Sequence, residues 1–323
     1  METLNTNEKH IYISSCCKDG GIYHAVFRPG HGLNIVSKTP IDRPMYTVLE
    51  GDRLYVILRS PFEASEESGI VSFDINKNGE LYNQTELTST QGIVACHLCV
   101  HEQHVYATNY VSGSVIRLPD LLVHHTGCGV NATRQEGPHT HFVAVTPDQT
   151  YICVTDLGTD EIITYDKELK VIVKTDVKAG SGPRHLAFTE DGRYAFCVNE
   201  LTSTVTMYSY GDGQFIYIDE CSTVPDTFKG ENTAAAIRIS NNHVYVSNRG
   251  HDSIAKFMIT SNKLIRTDIF SCGGRSPRDF DIIDEFVFCA NEKDGSLTVI
   301  DQRENNKIVQ KIYIEQALCI SKK

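Results

Sequence analysis

The sequence predicts an all-β protein, a β-propeller with seven blades and four antiparallel strands in each blade. Three observations support this prediction: one strand motif recurs seven times, tight turns separate the strands, and no helical periodicity interrupts them. A small sheet cannot bury both of its faces alone, so sheets of this kind pack radially around an axis. We therefore interpret the whole chain, residues 1–323, as one domain.

The recurring motif is an alternating apolar strand that ends, in most copies, in Asn or Asp. Its seven copies are Ile11–Ser15, Leu54–Leu58, Val105–Asn109, Ile152–Asp156, Ala195–Asn199, Val244–Asn248 and Val287–Asn291. The last residues of successive copies are 43, 51, 47, 43, 49 and 43 positions apart, which is the length of a four-stranded blade. We expect the terminal Asn and Asp residues to stabilise turns, because their short side chains bond to nearby backbone.

The strands within a repeat follow a simple order. His185–Phe188 predicts one strand and Tyr194–Val198 the strand that returns beside it, because the Asp-Gly pair between them favours a hairpin turn. The first copy of the motif begins close to the N-terminus, and Lys307–Ile314 predicts another strand near the C-terminus. We expect the two ends of the chain to share one blade, which closes the ring and leaves no long edge exposed.

Composition and charge exclude several classes of partner. The net charge is −11, and no run of Lys or Arg could follow a phosphate backbone, so nucleic acid is not an expected partner. No apolar segment reaches the roughly 20 residues that span a bilayer, and Met1–His10 is too polar for a signal peptide. The eleven cysteines occur mostly in apolar strands and are expected to be buried thiols. These features predict a cytoplasmic protein without a membrane partner.

One cluster of residues resembles a metal site in composition alone. Cys96, His97 and Cys99 are followed by His101 and His104, and both residue types are common zinc ligands. Neighbouring side chains in a strand face opposite sides, so these groups cannot converge on one ion without a loop. We therefore interpret the cysteines as buried strand residues and expect no metal or organic cofactor.

Hairpin geometry predicts that charged side chains meet at one mouth of the channel. When the second strand of a blade returns beside the first, the start of the first and the end of the second lie together. The residues expected at this mouth are His139, His141, Arg184, His185, Glu200, Arg249, His251 and Arg278. Local positive charge on an acidic protein favours a small anionic ligand, and guanidinium groups suit carboxylate and phosphate. A structural ion pair between Arg184 and Glu200 is the alternative interpretation.

Five pairs of segments at this mouth carry a family resemblance. They are Gly137–His141 with Asp156–Asp160, Gly182–His185 with Val198–Leu201, Ala234–Ala235 with Ser247–Ile254, Ser276–Phe280 with Ala290–Asn291, and Asn109–Tyr110 with Gly113–Val115. Together they resemble the seven-bladed lactonase family, which includes propeller-type 6-phosphogluconolactonases and carboxy-cis,cis-muconate cyclases. The absence of tryptophan argues against the WD-repeat class. Two positions depart from the family pattern: Leu58-Arg59 replaces a common Asn-Glu, and Ala236 replaces a frequent Glu.

The resemblance implies hydrolysis of a sugar lactone, with 6-phosphoglucono-1,5-lactone of the pentose phosphate pathway as the expected substrate. His141, or else His139, would act with Glu200 to activate water or transfer protons. Arg184 and Arg249 would stabilise the oxyanion. The phosphate or carboxylate would bind to Arg278 with His185 or His251.

Two alternatives remain open at this point. The protein could be a non-catalytic propeller that binds a small anionic metabolite or a protein partner, since a fold alone does not fix function. It could also resemble the muconate cyclases and form a lactone rather than hydrolyse one. The grouping of His, Glu and Arg at one mouth favours an enzyme, because a binding scaffold has no need of that combination.

Overall fold

The computed structural model describes residues 8–323, in which seven antiparallel sheets form the blades of a propeller. We number the blades 1 to 7 in chain order, and give the strands from the channel outward. Blade 1 contains Ala317–Lys322, Lys9–Ser15, Gly21–Arg28 and Gly32–Pro40; blade 2 contains Pro44–Glu50, Arg53–Leu58, Glu67–Ile75, Leu81–Tyr82 and Thr88–Ile93; blade 3 contains Ala95–His101, His104–Asn109, Ser114–Arg117 and Leu121–His124. The inner strand of each blade packs against the inner strand of the next around the whole ring.

The remaining four blades follow the same plan, and the predicted fold class is confirmed. Blade 4 contains Thr140–Val145, Ile152–Asp156, Glu161–Tyr165 and Val171–Asp176; blade 5 contains Pro183–Phe188, Tyr194–Asn199, Thr204–Gly211 and Gln214–Ser222; blade 6 contains Thr233–Ser240, His243–Arg249, Ser253–Ile259 and Leu264–Ser271; blade 7 contains Pro277–Ile283, Phe286–Asn291, Ser296–Asp301 and Lys307–Tyr313, with a short 3-10 helix at Gln302–Glu304. The seven copies of the sequence motif are the second strands of the seven blades.

Burial falls from the inner strands to the outer strands of each blade. Every residue of the second strand Phe286–Asn291 is buried, because both faces of its sheet pack against neighbouring blades. The outer strand Val171–Asp176 is mostly exposed. The apolar second strands thus build the interblade core, and this explains why their pattern was the strongest signal in the sequence.

The ends of the described chain share blade 1, as predicted, but the closing strand is not the expected one. Ala317–Lys322 pairs with Lys9–Ser15 and is almost fully buried, as an inner strand must be. Lys307–Tyr313 is mostly exposed and forms the outer strand of blade 7. The backbone amide of Ile320 donates to Asp279 Oδ2 at 2.9 Å, which joins the closing strand to blade 7.

Blade 2 departs from the predicted four strands. Its outer edge is divided between Leu81–Tyr82 and Thr88–Ile93, and both pair with Glu67–Ile75. Asn83 follows the first segment with a φ of 51°, a left-handed conformation that ends an extended strand. The outer strand therefore breaks after Tyr82 and resumes at Thr88, after a gap of five residues.

The Asn and Asp residues at the ends of second strands have a structural role. Asn199 is fully buried, and its Nδ2 donates to Thr204 Oγ1 at 2.9 Å and Thr206 Oγ1 at 2.8 Å. Asp156 Oδ1 accepts hydrogen bonds from three backbone amides, including that of His139. These contacts confirm that the motif ends in turn-stabilising groups.

We expect Asn199→Ala to destabilise the protein by about 1–3 kcal/mol, because it removes the amide donor of the buried Thr206 hydroxyl and of the half-buried Thr204 hydroxyl. Asn262→Ala, at an exposed turn, is the matched control. Urea unfolding of both variants and the unchanged protein measures the difference. Equal midpoints for the two variants would show that the buried amide contributes little.

The structure shows the state of the cysteines and whether any helix could span a membrane. All eleven cysteines are free thiols, and seven of them are buried. Within residues 8–323, no helix is long and apolar enough to cross a bilayer. The polar segment Met1–His10, which predicts that no signal peptide is present, lies mostly outside the described residues.

Candidate active site

A cavity of about 310 Å³ opens at the mouth where first strands begin and second strands end. Its lining residues are Met45, Arg59, Val94, Cys96, Tyr110, Val111, Arg134, His141, Glu200, Arg249, Arg278, Glu292 and Leu318. The volume falls at the small end of the range for ligand pockets, about 300–1,000 Å³. Four arginines and two glutamates give the lining a surplus of positive charge, although the chain as a whole is acidic.

A larger open groove lies on the opposite face of the propeller. It measures about 890 Å³. Its lining includes Phe188, at the end of the first strand of blade 5, and Tyr194, at the start of the second, which are the strand ends opposite those at the mouth. Its charged side chains include Arg193 and Asp191, which pair with each other at 2.5 Å and are exposed. The mouth cavity instead contains buried polar atoms without a partner, so we assign the candidate active site there.

A β-bulge at the same place in every blade turns one side chain toward the channel. In blades 1 to 7 the bulged residues of the inner strands are Leu318, Met45, Cys96, His141, Arg184, the pair Ala235–Ala236, and Arg278. Bulges commonly re-aim side chains beside active sites. All of these residues except the two alanines line the mouth cavity or the narrow space beneath it.

Glu200 is the centre of the charged cluster. Its Oε2 accepts from Arg184 Nε at 3.0 Å and lies 2.8 Å from Arg249 Nη2, while its Oε1 lies 2.6 Å from Arg134 Nη2. Arg184 is buried to 3% exposure and also donates through Nη1 to the carbonyl of Ala235 at 2.8 Å. The structure thus brings Arg184, Glu200 and Arg249 together, and three guanidinium groups share one carboxylate, so the cluster keeps a positive charge.

The electrostatics of this cluster keep Glu200 ionised. Burial by itself would raise the pKa of Glu200, but the charges of Arg249 and Arg184 outweigh it and hold that pKa well below the ordinary value. Burial and the nearby Arg249 charge lower the pKa of Arg184 to about 10. Both oxygens of Glu200 are occupied by arginine contacts, so this carboxylate is poorly placed to take a proton from water, although the sequence suggested it as a partner in water activation.

Arg134 lines the cavity but is not among the residues that the pairing of strand ends predicts. It lies in the connection between Leu121–His124 of blade 3 and Thr140–Val145 of blade 4, and it reaches Glu200 in blade 5. Its Nη2 also lies 3.4 Å from the hydroxyl of Tyr110. The connection is held at Asn131, whose Oδ1 accepts from the backbone amide of Arg134. No strand motif includes Arg134, so the sequence does not predict that its side chain reaches the cavity.

His141 presents an unpartnered imidazole to the cavity. It is 5% exposed, and its Nδ1 has no hydrogen-bond partner in the described part of the chain. Burial, followed by the charge of Arg184, lowers the pKa of His141 well below its usual range, although Glu200 opposes this effect. The ring is therefore neutral at physiological pH and able to accept a proton.

His185 lies below the cavity rather than on its wall. Its Nε2 is 3.2 Å from Arg184 Nη1, and because a guanidinium group only donates, this nitrogen must accept and the proton must sit on Nδ1. The ring packs edge-on against His97 and His141 at centroid distances of 5.1 and 5.2 Å. His185 therefore supports Arg184 and His141 from beneath.

The structure does not bring His139 or His251 into the cavity lining. His139 stacks on Tyr110 at 4.5 Å between ring centroids, and its Nδ1 is 3.0 Å from the Tyr110 carbonyl. His251 packs edge-on against Phe228, and its Nδ1 bonds to the Ser253 hydroxyl at 2.7 Å. Both imidazoles are engaged in local contacts, and His139 packs against Tyr110, which lines the cavity in its place.

Arg278 lines the cavity as the bulged residue of blade 7, and its Nη1 lies 3.5 Å from Glu292 Oε2. Ala236, where the family often has Glu, is fully buried and contacts the apolar core of blades 6 and 7. The acid that Arg249 needs is supplied by Glu200 from blade 5. The departure at Ala236 therefore does not leave Arg249 unpaired.

The fold and this site define a class of protein, a β-propeller with a small, cation-rich cavity at one mouth of its channel. The family model described as Lactonase, 7-bladed beta-propeller matches residues 10–321. The chain therefore belongs to the seven-bladed lactonase family, which confirms the resemblance of its sequence motifs. Membership supports lactone hydrolysis as the general class of reaction.

Individual relatives match this chain over nearly its full length. An uncharacterized protein of Staphylococcus epidermidis is 35% identical over 323 residues, covering 91% of this chain and 92% of the relative. The crystal structure of a candidate 6-phosphogluconolactonase from Bacteroides fragilis matches with a TM-score of 0.89 and 23% identity over 100% of both chains. A periplasmic gluconolactonase of Pseudomonas aeruginosa matches with a TM-score of 0.86 and 21% identity over 98% and 99% of the two chains. These two structures share the fold of this protein.

Proposed function

We propose that this protein hydrolyses 6-phosphoglucono-1,5-lactone to 6-phosphogluconate at the mouth cavity. The observation that carries the proposal is the neutral, unpartnered imidazole of His141 on the same cavity wall as the Glu200 cluster. Ring opening of a lactone needs a proton acceptor for water and a cationic group for the oxyanion. These two requirements meet in one small, partly enclosed space.

In the proposed reaction, His141 accepts a proton from the attacking water as the water oxygen bonds to the lactone carbonyl carbon. The carbonyl oxygen gains negative charge, which Arg249 stabilises. Arg249 is suited to this because it lines the cavity and its Nη2 is fixed by Glu200 at 2.8 Å. The proton then passes from His141 to the ring oxygen as that C–O bond breaks. Glu200 positions the arginines and takes no proton.

The rest of the lining suits a sugar derivative. Met45, Cys96 and Leu318 form an apolar part of the wall, against which the C–H groups of a sugar ring can pack. The surplus positive charge of the lining favours a substrate that carries an anion. The names of the Bacteroides and Pseudomonas proteins, a candidate 6-phosphogluconolactonase and a gluconolactonase, add support for a sugar lactone. Free thiols throughout the chain accord with a reducing compartment such as the cytoplasm.

The direct test is acid release from freshly made 6-phosphoglucono-1,5-lactone, followed with and without the protein because the lactone also opens spontaneously. Acceleration proportional to protein concentration is expected. Binding of 6-phosphogluconate without any acceleration would overturn the catalytic proposal and favour a binding protein. Glucono-1,5-lactone, measured alongside, shows whether the phosphate contributes to recognition.

The pH dependence of kcat/KM tests the role of His141. We expect kcat/KM to stay level from about pH 8 down to the ordinary histidine pKa of about 6.5. It should fall only at lower pH, because the pKa of His141 is well below that value and the neutral ring is the active form. Initial rates, corrected for spontaneous opening at each pH, give the profile. An acid limb centred at or above about pH 6.5 would contradict this assignment.

A further inference from the structure

The positive charge of the mouth cavity is divided between two sides. On the side of blades 4 to 6, three arginines share Glu200 at distances between 2.6 and 3.0 Å. On the side of blades 2 and 7, Arg59 and Arg278 face the cavity, and Glu292 is 3.5 Å from Arg278 alone. Both sides carry surplus positive charge, but only the second side has an arginine, Arg59, that no carboxylate of residues 8–323 contacts within 4.0 Å.

Arg59 is that unbalanced cation. It directly follows Leu58, the last residue of the second strand of blade 2. Its side chain is exposed and, among residues 8–323, has no hydrogen bond and no carboxylate within 4.0 Å. Its backbone is fixed, because its amide donates to the Arg43 carbonyl at 3.0 Å and the preceding Leu58 is buried.

Arg59 and Arg278 approach the same place from different blades. Burial raises the pKa of the Cys16 thiol to about 11, while the charges of Arg59 and Arg278 both act to lower it. Both guanidinium groups therefore lie near Cys16, at the end of the second strand of blade 1. The blades that carry these two arginines, 2 and 7, are not direct neighbours of blade 4, which carries His141.

We propose that Arg59 is a specificity-determining residue that, with Arg278, binds a phosphate group of the substrate remote from the reacting carbonyl. An arginine fork gives a phosphate two parallel charged hydrogen bonds, and two such groups match its charge. The pair selects phosphorylated lactones over neutral ones. This inference rests on the proposed function for its lactone, but the phosphate subsite can be tested without turnover.

The test is equilibrium binding of 6-phosphogluconate and of gluconate to the unchanged protein, Arg59→Ala and Arg59→Lys, by isothermal titration calorimetry. Arg59→Ala should weaken 6-phosphogluconate binding by about 10- to 100-fold, the loss of charged hydrogen bonds. Gluconate binding should not change. Arg59→Lys should recover part of the affinity, since it keeps the charge but not the fork. Arg275→Ala removes an exposed arginine outside the cavity and is the matched control.

The outcomes separate this inference from the proposed function. An equal loss for both ligands, no loss at all, or no binding of 6-phosphogluconate to the unchanged protein would overturn the subsite. Suppose that the lactone is hydrolysed and that Arg59→Ala has the same ratio of kcat/KM for the phosphorylated and the neutral lactone as the unchanged protein. The proposed function then stands and the phosphate subsite fails. If Arg59→Ala affects only 6-phosphogluconate binding and no lactone is hydrolysed, the subsite stands and the hydrolase proposal fails.

Discussion

Glu200→Gln should abolish lactone hydrolysis and destabilise the protein by about 3–5 kcal/mol, the cost of leaving a buried charge without its partner. Three guanidinium groups meet at this carboxylate, and Arg184 is buried to 3% exposure. Glutamine fills the same volume but carries no charge. The arginines would then repel one another, and Arg249 would lose the contact that fixes it beside the cavity.

Thermal and urea unfolding measure the stability change of Glu200→Gln, and the acid-release assay measures its activity. Glu292→Gln is the matched control, because its carboxylate is partly exposed and lies 3.5 Å from Arg278; its removal should cost about 0–1 kcal/mol. Since Glu200 is ionised far below neutral pH, its stabilisation is present above the ordinary glutamate pKa of about 4.3 and lost as the pH falls further. Similar stability losses in the two variants would refute the central role of Glu200.

His141→Gln should reduce kcat by about 10²- to 10⁴-fold, the usual contribution of a positioned general base. Glutamine keeps a polar group of similar size at the bulge of blade 4 but cannot accept the proton of the attacking water. Stability should change little, because the imidazole Nδ1 has no partner in the described chain and its removal breaks no hydrogen bond there. The loss should fall on kcat more than on KM, since the transition state alone needs the base.

His139→Gln is the control for this experiment, and it also decides between the two histidines that the sequence left open. His139 stacks on Tyr110 and does not line the cavity, so its replacement should leave most of the activity. Steady-state kinetics on freshly made lactone compares the two variants. A larger loss for His139→Gln than for His141→Gln would reverse the assignment.

The fold could be predicted from the sequence because its strongest signal comes from the second strands. Those strands are buried on both faces, so the chain must repeat an apolar motif at each of them, as Val287–Asn291 does. The closing strand was harder to recognise. Ala317–Lys322 follows directly after Lys307–Tyr313, and composition alone does not tell which of two short adjacent strands lies inside the ring.

The site could be predicted only in part, because the side chains that form it leave regular geometry. Pairing of strand ends correctly placed Arg184 near Glu200. Alternation along a strand, however, gives no sign of the bulge that turns Arg184 or His141 to the channel. Arg134 acts from a long connection, where its direction depends on the turn around Asn131. The same limit applies to His139, which stacks on Tyr110 and does not line the cavity itself.

The closing strand sets the order in which this protein can become active during synthesis. Cys319 and Ser14, which bond across blade 1, are 305 positions apart, and Leu318 of the same strand lines the cavity. At about 5–20 residues per second, a ribosome finishes the first strand many seconds before the one that must pair with it. The nascent chain can therefore stack blades 2 to 7 but has no complete substrate cavity until its last strand emerges.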